Sequence, residues 1–185
     1  MFSVANGIAY DGLMVLGRKP ALAFATTLGD SRWIDVPAEG AEGHFIPAQA
    51  EVAGRLVLGA QRDGNDCSIY VISPFRKVAY NMRTLLEQDG LEPQWIKQSV
   101  GTVHTFQGKE ADLVILLLGG DPARPGAMDW AAEKPNLLNV ALTRAKNRVY
   151  VVGDRRHWMR RRYFDVLADA LPVAAAAPGG ALLHL

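Results

Sequence analysis

The sequence is poor in cysteine and contains no long apolar run. Cys67 is the single cysteine among 185 residues, which excludes an intrachain disulfide and a cysteine-based zinc site. No uncharged apolar stretch approaches the roughly 20 residues that cross a bilayer, and no leader typical of a secretion signal is present. These absences predict a soluble cytoplasmic protein with no membrane partner.

Metal-ligand spacing is also missing. The four histidines, His44, His104, His157 and His184, are scattered along the chain and do not fall into a metal-binding pattern. We therefore expect no metal site built by the protein alone.

Positive charge is concentrated in one segment, although the net charge of the chain is only +1. Between residues 144 and 162 there are eight lysines and arginines against one acid, Asp154. Such a segment is either a solvated helix face or a surface that faces phosphates or an acidic neighbouring domain. The sequence alone leaves these alternatives open.

Apolar strands and amphipathic helices alternate through the chain. With 49% hydrophobic residues, a chain of this length has room for one well-buried domain. The predicted strands cover residues 32–36, 67–72, 100–103, 113–118 and 149–152, and the predicted helices cover residues 48–61, 75–88, 136–146 and 157–170. This alternation predicts right-handed βαβ units and an α/β fold with a mostly parallel sheet.

Composition divides the chain into three parts. Residues 1–47, rich in Gly, Pro and Ala, are expected to form an irregular segment across the domain surface, and residues 1–10 have the weak helical spacing of a helix whose beginning is missing. Residues 48–170 form the predicted domain, in which residues 119–135 are expected to be an exposed loop. Residues 171–185 are a low-complexity tail.

Three polar turns are candidates for a ligand site, because ligands of parallel sheets collect outside the carboxyl ends of the strands. We expect these turns, residues 73–76, 104–110 and 153–154, to lie there. Three residues in or beside the second turn suit contacts with a sugar-phosphate backbone, although the two threonines also suit ordinary strands: Thr102, His104 and Thr105.

The triplet Gln107-Gly108-Lys109 suggests a phosphate-binding loop but does not match its pattern. Val103 stands where the leading glycine belongs, and Glu110 follows the lysine where a hydroxyl residue is required. No other stretch supplies the motif. The chain therefore lacks the usual cradle for the β- and γ-phosphates of a nucleotide.

Other residues suit the opposite side of a nucleotide site. Arg144 lies near the end of a predicted helix, and its permanently charged, planar guanidinium suits a γ-phosphate. Glu110 and Gln107 suit hydrogen bonds to ribose hydroxyls or to an attacking water. Structural interpretations remain open for each, such as a surface ion pair for Arg144 or a helix-cap acid for Glu110.

Taken in order, these residues resemble the conserved motifs of superfamily 1 helicases. TVHTFQGKEADLVI resembles motif V, and NLLNVALTRAKNRVYVVGD resembles motif VI, as found in the branch of RNA-surveillance and flap-processing helicases. VISPFRKVAYNMRTLL resembles motif IV more weakly. FSVANGIAYDGLMV resembles the segment that follows the Gln-Tyr-Arg-x-His-Pro motif of the family.

The resemblance implies a particular architecture. Such helicases have two RecA-like domains with ATP and Mg²⁺ bound between them, and this chain resembles the second, C-terminal domain, a three-layer α/β/α fold. The implied partners are single-stranded DNA or RNA and the N-terminal RecA-like domain of the same full-length protein. That domain would make most of the contacts to ATP and Mg²⁺. Without that domain, the chain is expected not to hydrolyse ATP.

The resemblance also assigns roles to individual residues. It implies that Arg144 is a catalytic arginine finger, that Gln107 is a catalytic residue with a coupling role, and that Gly108, Glu110 and Arg76 contact the nucleotide. The residues implied to face the single strand are Pro74, Thr102, His104 and Thr105. The chain departs from the family at Val78 and Ala48, where the family has Gln and Asn, and this weakens the assignments in motif IV.

A second hypothesis is a non-catalytic module that binds single strands or a partner protein without ATP. The basic residues between positions 155 and 162 support this alternative. It differs from the helicase hypothesis in the residues that it requires for binding.

Overall fold

Six parallel strands form the central sheet of the protein. The computed structural model describes residues 28–62, 67–106 and 108–175. In chain order the strands are β1 (Arg32–Asp35), β2 (Ile69–Ser73), β3 (Val100–Thr102), β4 (Ala111–Leu117), β5 (Ala145–Gly153) and β6 (Val173–Ala175). Across the sheet their order is β3-β2-β4-β5-β1-β6, and all neighbours run parallel.

Seven α-helices connect the strands in the part of the chain that the structure describes. They are α1 (Pro47–Arg62), α2 (Arg76–Gln88), α3 (Pro93–Ser99), α4 (Gly126–Ala132), α5 (Asn136–Thr143), α6 (Arg155–Trp158) and α7 (Phe164–Ala170). A 3-10 turn, Val103–Phe106, follows β3 directly. Within the described ranges, no helix combines the length and the apolar character needed to cross a membrane.

β4 lies at the centre of the hydrophobic core. Its residues 113–117 are at most 1% exposed. Because successive side chains of a strand point to opposite faces of the sheet, this burial requires that both faces be covered. The helices therefore form a layer on each side of the sheet, which confirms the predicted RecA-like α/β fold.

β1 is an interior strand of the sheet, between β5 and β6. Trp33 and Ile34 are fully buried, and Trp33 Nε1 donates a 2.9 Å hydrogen bond to the carbonyl oxygen of Gly153. The expected position of the leading segment on the surface is therefore wrong for β1. β6 similarly extends the sheet into the predicted tail. The helical pattern predicted at residues 1–10 lies outside the described residues.

Residues 119–135 contain a helix, so the prediction of an exposed loop is wrong. Met128 and Ala131 of α4 are buried in the core. The chain leaves β4 through Gly119, which has a φ of 60° and where an added Cβ would collide with the carbonyl oxygen of His44. Glycine is thus required in a tight turn that leads into a packed helix.

Gln49 connects three parts of the fold. This residue lies in the first turn of α1 and is fully buried. Its Nε2 donates a 2.9 Å hydrogen bond to the carbonyl oxygen of Val36, just after β1, and its Oε1 accepts a 3.1 Å hydrogen bond from the amide of Gly119, just after β4. Without Gln49, the carbonyl of Val36 and the amide of Gly119 would lose these hydrogen bonds inside the core.

The predicted basic helix over residues 157–170 is interrupted, and α6 and α7 replace it. Tyr163 precedes α7 with a φ of 70°, which a continuous helix does not allow. Arg161 Nη1 donates to the carbonyl oxygen of His157, and Arg161 Nε lies 3.0 Å from Asp129 Oδ1 of α4. The basic residues 155–162 are thus divided between α6 and the turn that follows it, and they do not lie on one continuous helix.

Candidate functional site

β4 and β5 begin side by side, and the residues that precede them form the first part of the site. β5 begins at Ala145, four residues before the predicted position, because Ala145 pairs with Ala111. The Ala111 amide also donates a 2.9 Å hydrogen bond to the carbonyl oxygen of Arg144. Residues 108–110 and Arg144 therefore lie next to each other at the amino ends of these strands, and we call them the amino edge.

The guanidinium of Arg144 is half-buried and held by three hydrogen bonds. Nε donates to the carbonyl oxygen of Val140 at 3.2 Å, Nη1 to that of Lys109 at 3.2 Å, and Nη2 to Thr143 Oγ1 at 3.1 Å. All three acceptors are neutral, so they orient the guanidinium without cancelling its charge. A fixed, permanently charged fork of this kind suits a phosphate group.

Residues 108–110 form an exposed turn beside Arg144. Gly108 has a φ of 79°, which is strained for any other residue, although the space around its Cα is open. The Lys109 amide donates a 3.0 Å hydrogen bond to the carbonyl oxygen of Phe106 and closes the turn. Gln107 lies outside the described residues, so its coupling role stays a prediction.

Asp112 joins the amino ends of three neighbouring strands. Its Oδ2 accepts hydrogen bonds from the amide and the hydroxyl of Ser68 at 3.1 and 2.6 Å, and its Oδ1 accepts one from Asn147 Nδ2 at 3.1 Å. The pairing of β4 with β5 shifts its register between Ala111 and Leu113. The carboxylate therefore holds the strands together where the regular ladder is interrupted.

A groove follows the opposite edge of the sheet, where β2 and β3 end. One part of about 440 Å³ is lined by Pro74, Arg76, Thr102 and His104 among others. The adjoining part, of about 500 Å³, lies against α4 and α5. We call the two parts together the carboxyl groove, and the residues that line both are Val103, His104, Trp130 and Leu137.

The carboxyl groove brings together three of the four residues predicted to face a single strand, Pro74, Thr102 and His104. The structure does not bring Thr105 into it, since Thr105 lines another cavity of about 570 Å³ beside α3. Thr105 Oγ1 accepts a 3.2 Å hydrogen bond from the Thr102 amide, which stabilises the turn after β3. This bond turns the side chain away from the groove.

Arg76 lies far from Gly108 and Glu110, the other two residues predicted to contact the nucleotide. It is exposed at the first position of α2, just after the carboxyl end of β2, and it lines the carboxyl groove. The predicted contact of Arg76 with a nucleotide at Gly108, Glu110 and Arg144 is therefore not supported by its position. The reason is topological, because β2 ends at the edge opposite to the amino edge.

The amino edge and the carboxyl groove lie at opposite edges of the sheet. β4 runs from Ala111 to Leu117, and at about 3.3 Å per residue it separates the two edges by about 20 Å. The prediction that all polar turns lie at the carboxyl ends is wrong, because residues 108–110 and Arg144 precede their strands. The residues predicted to converge on one ligand thus lie at two separate edges of the sheet.

The third predicted turn, residues 153–154, has a structural function. Asp154 is 8% exposed and caps α6, where its Oδ1 accepts a 3.2 Å hydrogen bond from the His157 amide. Its Oδ2 accepts a 2.9 Å hydrogen bond from the amide of Ala38. Both carboxylate oxygens are therefore engaged in holding the backbone.

Two groove residues were not predicted from the sequence. The His44 ring stacks on Phe75 with a centroid distance of 4.6 Å, and its Nδ1 accepts a 3.3 Å hydrogen bond from the Asp121 amide. Trp130 of α4 is 58% exposed. A lone tryptophan among small and polar residues was the available signal for Trp130, whereas no sequence pattern pointed to His44.

Part of the basic segment is used inside the protein. Arg155 Nη2 donates a 3.1 Å hydrogen bond to the carbonyl oxygen of Ala168, and Arg161 pairs with Asp129. The exposed basic residues between positions 155 and 162 are Arg156, Arg160 and Arg162. The segment is thus partly structural. This weakens the alternative hypothesis, in which the basic segment binds the ligand instead of the carboxyl groove.

Comparisons with known proteins identify the family. The sequence profile of the family described as "AAA domain" matches residues 37–156, which include both the amino edge and the carboxyl groove. Over 120 residues the chain is 27% identical to "Probable helicase senataxin" of Mus musculus, and this alignment covers 63% of the chain and 4% of that protein. Because the family profile covers more than half of the sequence, the chain belongs to the AAA domain family.

Proposed function

We propose that this chain is the second motor domain of an ATP-dependent superfamily 1 helicase. In this proposal the amino edge contacts an ATP that a first RecA-like domain holds, and the carboxyl groove contacts single-stranded DNA or RNA. The similarity to a protein named as a probable helicase supports the assignment. The aligned part is 4% of that relative, so the first domain is part of the proposal.

The amino edge suits one side of a nucleoside triphosphate. Arg144 offers an oriented cation, and the exposed Lys109 adds a second positive charge beside it. The sequence contains no phosphate-loop motif, so the remaining phosphate contacts would come from the other domain. Arg144 would stabilise the charge that develops on the γ-phosphate during its transfer to water.

The carboxyl groove suits a single strand. His104, Arg76 and Lys77 are exposed around it, and Thr102 adds a hydroxyl to its lining. Cationic side chains and small hydroxyl donors are the groups that most often contact the sugar-phosphate backbone. This composition supports contacts that do not depend on base sequence.

The observation that carries the proposal is the short segment that links the two sites. Residues 103–110 begin with Val103 and His104 in the carboxyl groove and end with Glu110 at the amino edge. Phe106 anchors this segment in the core and stacks on Tyr70 with a centroid distance of 4.2 Å. A displacement of residues 108–110 on ATP hydrolysis would therefore change the contacts of His104 with the strand.

The finger role of Arg144 is testable in the full-length protein. Arg144→Ala is expected to lower ATP turnover by about 10³- to 10⁵-fold and to leave ATP binding nearly unchanged, because the finger acts on the transition state. Lys146→Ala is the control, since this exposed cation lies two residues away in the sequence. Turnover retained in Arg144→Ala would exclude the finger role.

The chain alone is expected to hydrolyse no ATP, with or without single strands. Its sequence lacks the phosphate loop that positions the β- and γ-phosphates. Helicase-like turnover by the 185-residue chain would contradict the requirement for a first domain.

Strand binding distinguishes this proposal from a non-catalytic basic module. If the carboxyl groove binds the strand, Thr102→Ala with His104→Ala should weaken binding of a labelled oligonucleotide, and substitution of Arg156, Arg160 and Arg162 should have a smaller effect. The reverse order of effects would favour the basic module.

A further inference from the structure

We propose that Trp130 is a stacking platform for one base of the single strand in the carboxyl groove, an inference that rests on the proposed function. The four tryptophans of the chain differ in their surroundings. Trp33 and Trp158 are fully buried, and their indole nitrogens donate to the carbonyl oxygens of Gly153 and Gly119. Trp95 is half-buried against the core, whereas Trp130 is 58% exposed.

Trp130 is presented by a helix that is fixed on its other side. Met128 and Ala131 of α4 are buried in the core, and Asp129 is held by Arg161 at 3.0 Å. A rigid backbone reduces the entropy that the ring would lose on binding a ligand. The exposure of the ring is therefore a property of a packed helix.

The position of Trp130 is central in the carboxyl groove. Both parts of the groove are lined by Trp130 and by His104, which the resemblance assigned to strand binding. A base that leaves a backbone held near Thr102 would meet the indole ring between these parts. Aromatic side chains provide stacking surfaces of this kind for single strands, and stacking does not select a particular base.

The surroundings of Trp130 favour a polyanion over an apolar partner. The exposed residues nearest in sequence that line the same part of the groove are Glu133, Lys134 and Asn136, which are all polar. Arg76 and Lys77 line the other part. An apolar protein surface would leave these polar groups without water, whereas a nucleic acid offers phosphates to the cations and a base to the ring.

A double-mutant cycle between protein and ligand tests this inference. The chain and its Trp130→Ala variant are titrated with a labelled thymidine oligonucleotide and with the same backbone carrying abasic sites. For the base-bearing strand we expect Trp130→Ala to weaken binding by about 5- to 150-fold, the range of one lost stacking contact. For the abasic strand the two proteins should bind equally.

Salt dependence separates stacking from charge. Because Trp130 contacts no phosphate in this proposal, Trp130→Ala should leave the slope of log affinity against log salt unchanged. Lys134→Ala should reduce that slope by about 0.7, the value for one phosphate contact on a single strand. A uridine oligoribonucleotide serves as a second ligand, and equal losses with both strands are expected because stacking is common to DNA and RNA.

Two controls keep the inference falsifiable. Trp130→Phe retains a ring and should restore most of the affinity, and Tyr80→Ala removes another exposed aromatic, on α2, and should have no effect. Weak binding is followed by NMR, where the Trp130 indole resonance, assigned by its loss in Trp130→Phe, should shift and that of Trp95 should not.

The outcomes separate this inference from the proposed function. Suppose that Trp130→Ala binds the thymidine strand as tightly as the parent chain, while Thr102→Ala with His104→Ala weakens binding. The proposal of base stacking on Trp130 is then wrong, and the proposal that the strand binds in the carboxyl groove is retained. An equal loss for abasic and base-bearing strands also overturns stacking. If neither variant changes binding, the strand does not occupy the carboxyl groove and both proposals fail.

Discussion

At the scale of single residues, Gly108 and Gly126 differ in backbone conformation, but both have room for a methyl group. Gly108 at the amino edge has a φ of 79°, and Gly126 at the start of α4 does not have a positive φ. An added Cβ would meet no atom within 4 Å at either position. Any difference between their alanine variants therefore reports the conformation alone.

We expect Gly108→Ala to lower the free energy of unfolding by about 1–2 kcal/mol, because a left-handed conformation costs a side-chain residue that amount. Gly126→Ala should be neutral or slightly stabilising, since alanine favours a helix. Urea denaturation measures both. Equal stability of the two variants would mean that the turn at residues 108–110 adapts to a side chain.

Gln49 supports a second prediction, which concerns pH. An amide at this position donates to Val36 and accepts from Gly119 in a fully buried site. Gln49→Glu preserves the shape, and a neutral carboxyl can make both bonds, but a carboxylate cannot donate. Burial and the carbonyl of Val36 should therefore raise the pKa of the introduced carboxyl in the folded protein above its unfolded value of about 4.3.

The sign of the effect follows from proton linkage. Between the unfolded and the folded pKa the native state binds more protons than the unfolded state, so stability falls as pH rises above about 4.3. Gln49→Glu should resemble the parent chain at low pH and be progressively less stable toward neutral pH. Thermal unfolding across pH, compared with Gln49→Leu, tests this, and a constant difference from the parent chain would contradict it.

At the scale of secondary-structure elements, Asp112 determines how the amino ends of the strands are held. Its carboxylate accepts three hydrogen bonds, two from Ser68 and one from Asn147. Asp112→Ala should lower the free energy of unfolding by about 1 kcal/mol, because three donors lose their acceptor and only the Asn147 amide among them is part-buried. Hydrogen exchange should accelerate first at the amide of Ser68.

The matched variant is Asp112→Asn, which keeps one acceptor oxygen and the size of the side chain. It should fall between the parent chain and Asp112→Ala in stability. If both variants were as stable as the parent chain, the carboxylate would not hold the strand ends, and the position of Arg144 would depend on backbone pairing alone.

Elements with strong local patterns were predicted well from the sequence. The continuous apolar runs of β2 and β4 and the amphipathic patterns of α1 and α2 lie within a few residues of their predicted positions. The early start of β5 was missed because Ala145, Lys146 and Asn147 are not an apolar run, and their pairing with β4 is a tertiary contact. α4 was missed because glycine and proline surround it.

The candidate site was predictable in composition but not in arrangement. Motif resemblance selected Arg144, Gly108, Glu110 and His104, and each occupies one of the two edges. Their division into two sites depends on whether a turn precedes or follows its strand, and Arg144 and Glu110 precede theirs. The sequence does not predict the role of Trp130, because the exposure of its ring depends on how α4 packs.

At the scale of the whole molecule, we propose that the two edges of one sheet bind different ligands, a nucleotide at the amino edge and a single strand in the carboxyl groove. β4 separates the amino edge from the carboxyl groove by about its own length, about 20 Å. Residues 103–110 connect the two edges, and we propose that this segment couples ATP hydrolysis to strand binding. Variants at either edge should therefore affect different measurements.

The most direct test measures ATP turnover and single-strand affinity in the same full-length protein, without nucleotide for the affinity measurement. We expect Arg144→Ala to lose about 10³-fold or more in turnover and to keep its strand affinity. His104→Ala should bind the strand less tightly and keep basal turnover measured without a strand. If Arg144→Ala weakened strand binding as much as His104→Ala, or if His104→Ala abolished basal turnover, the division of function between the two edges would be contradicted.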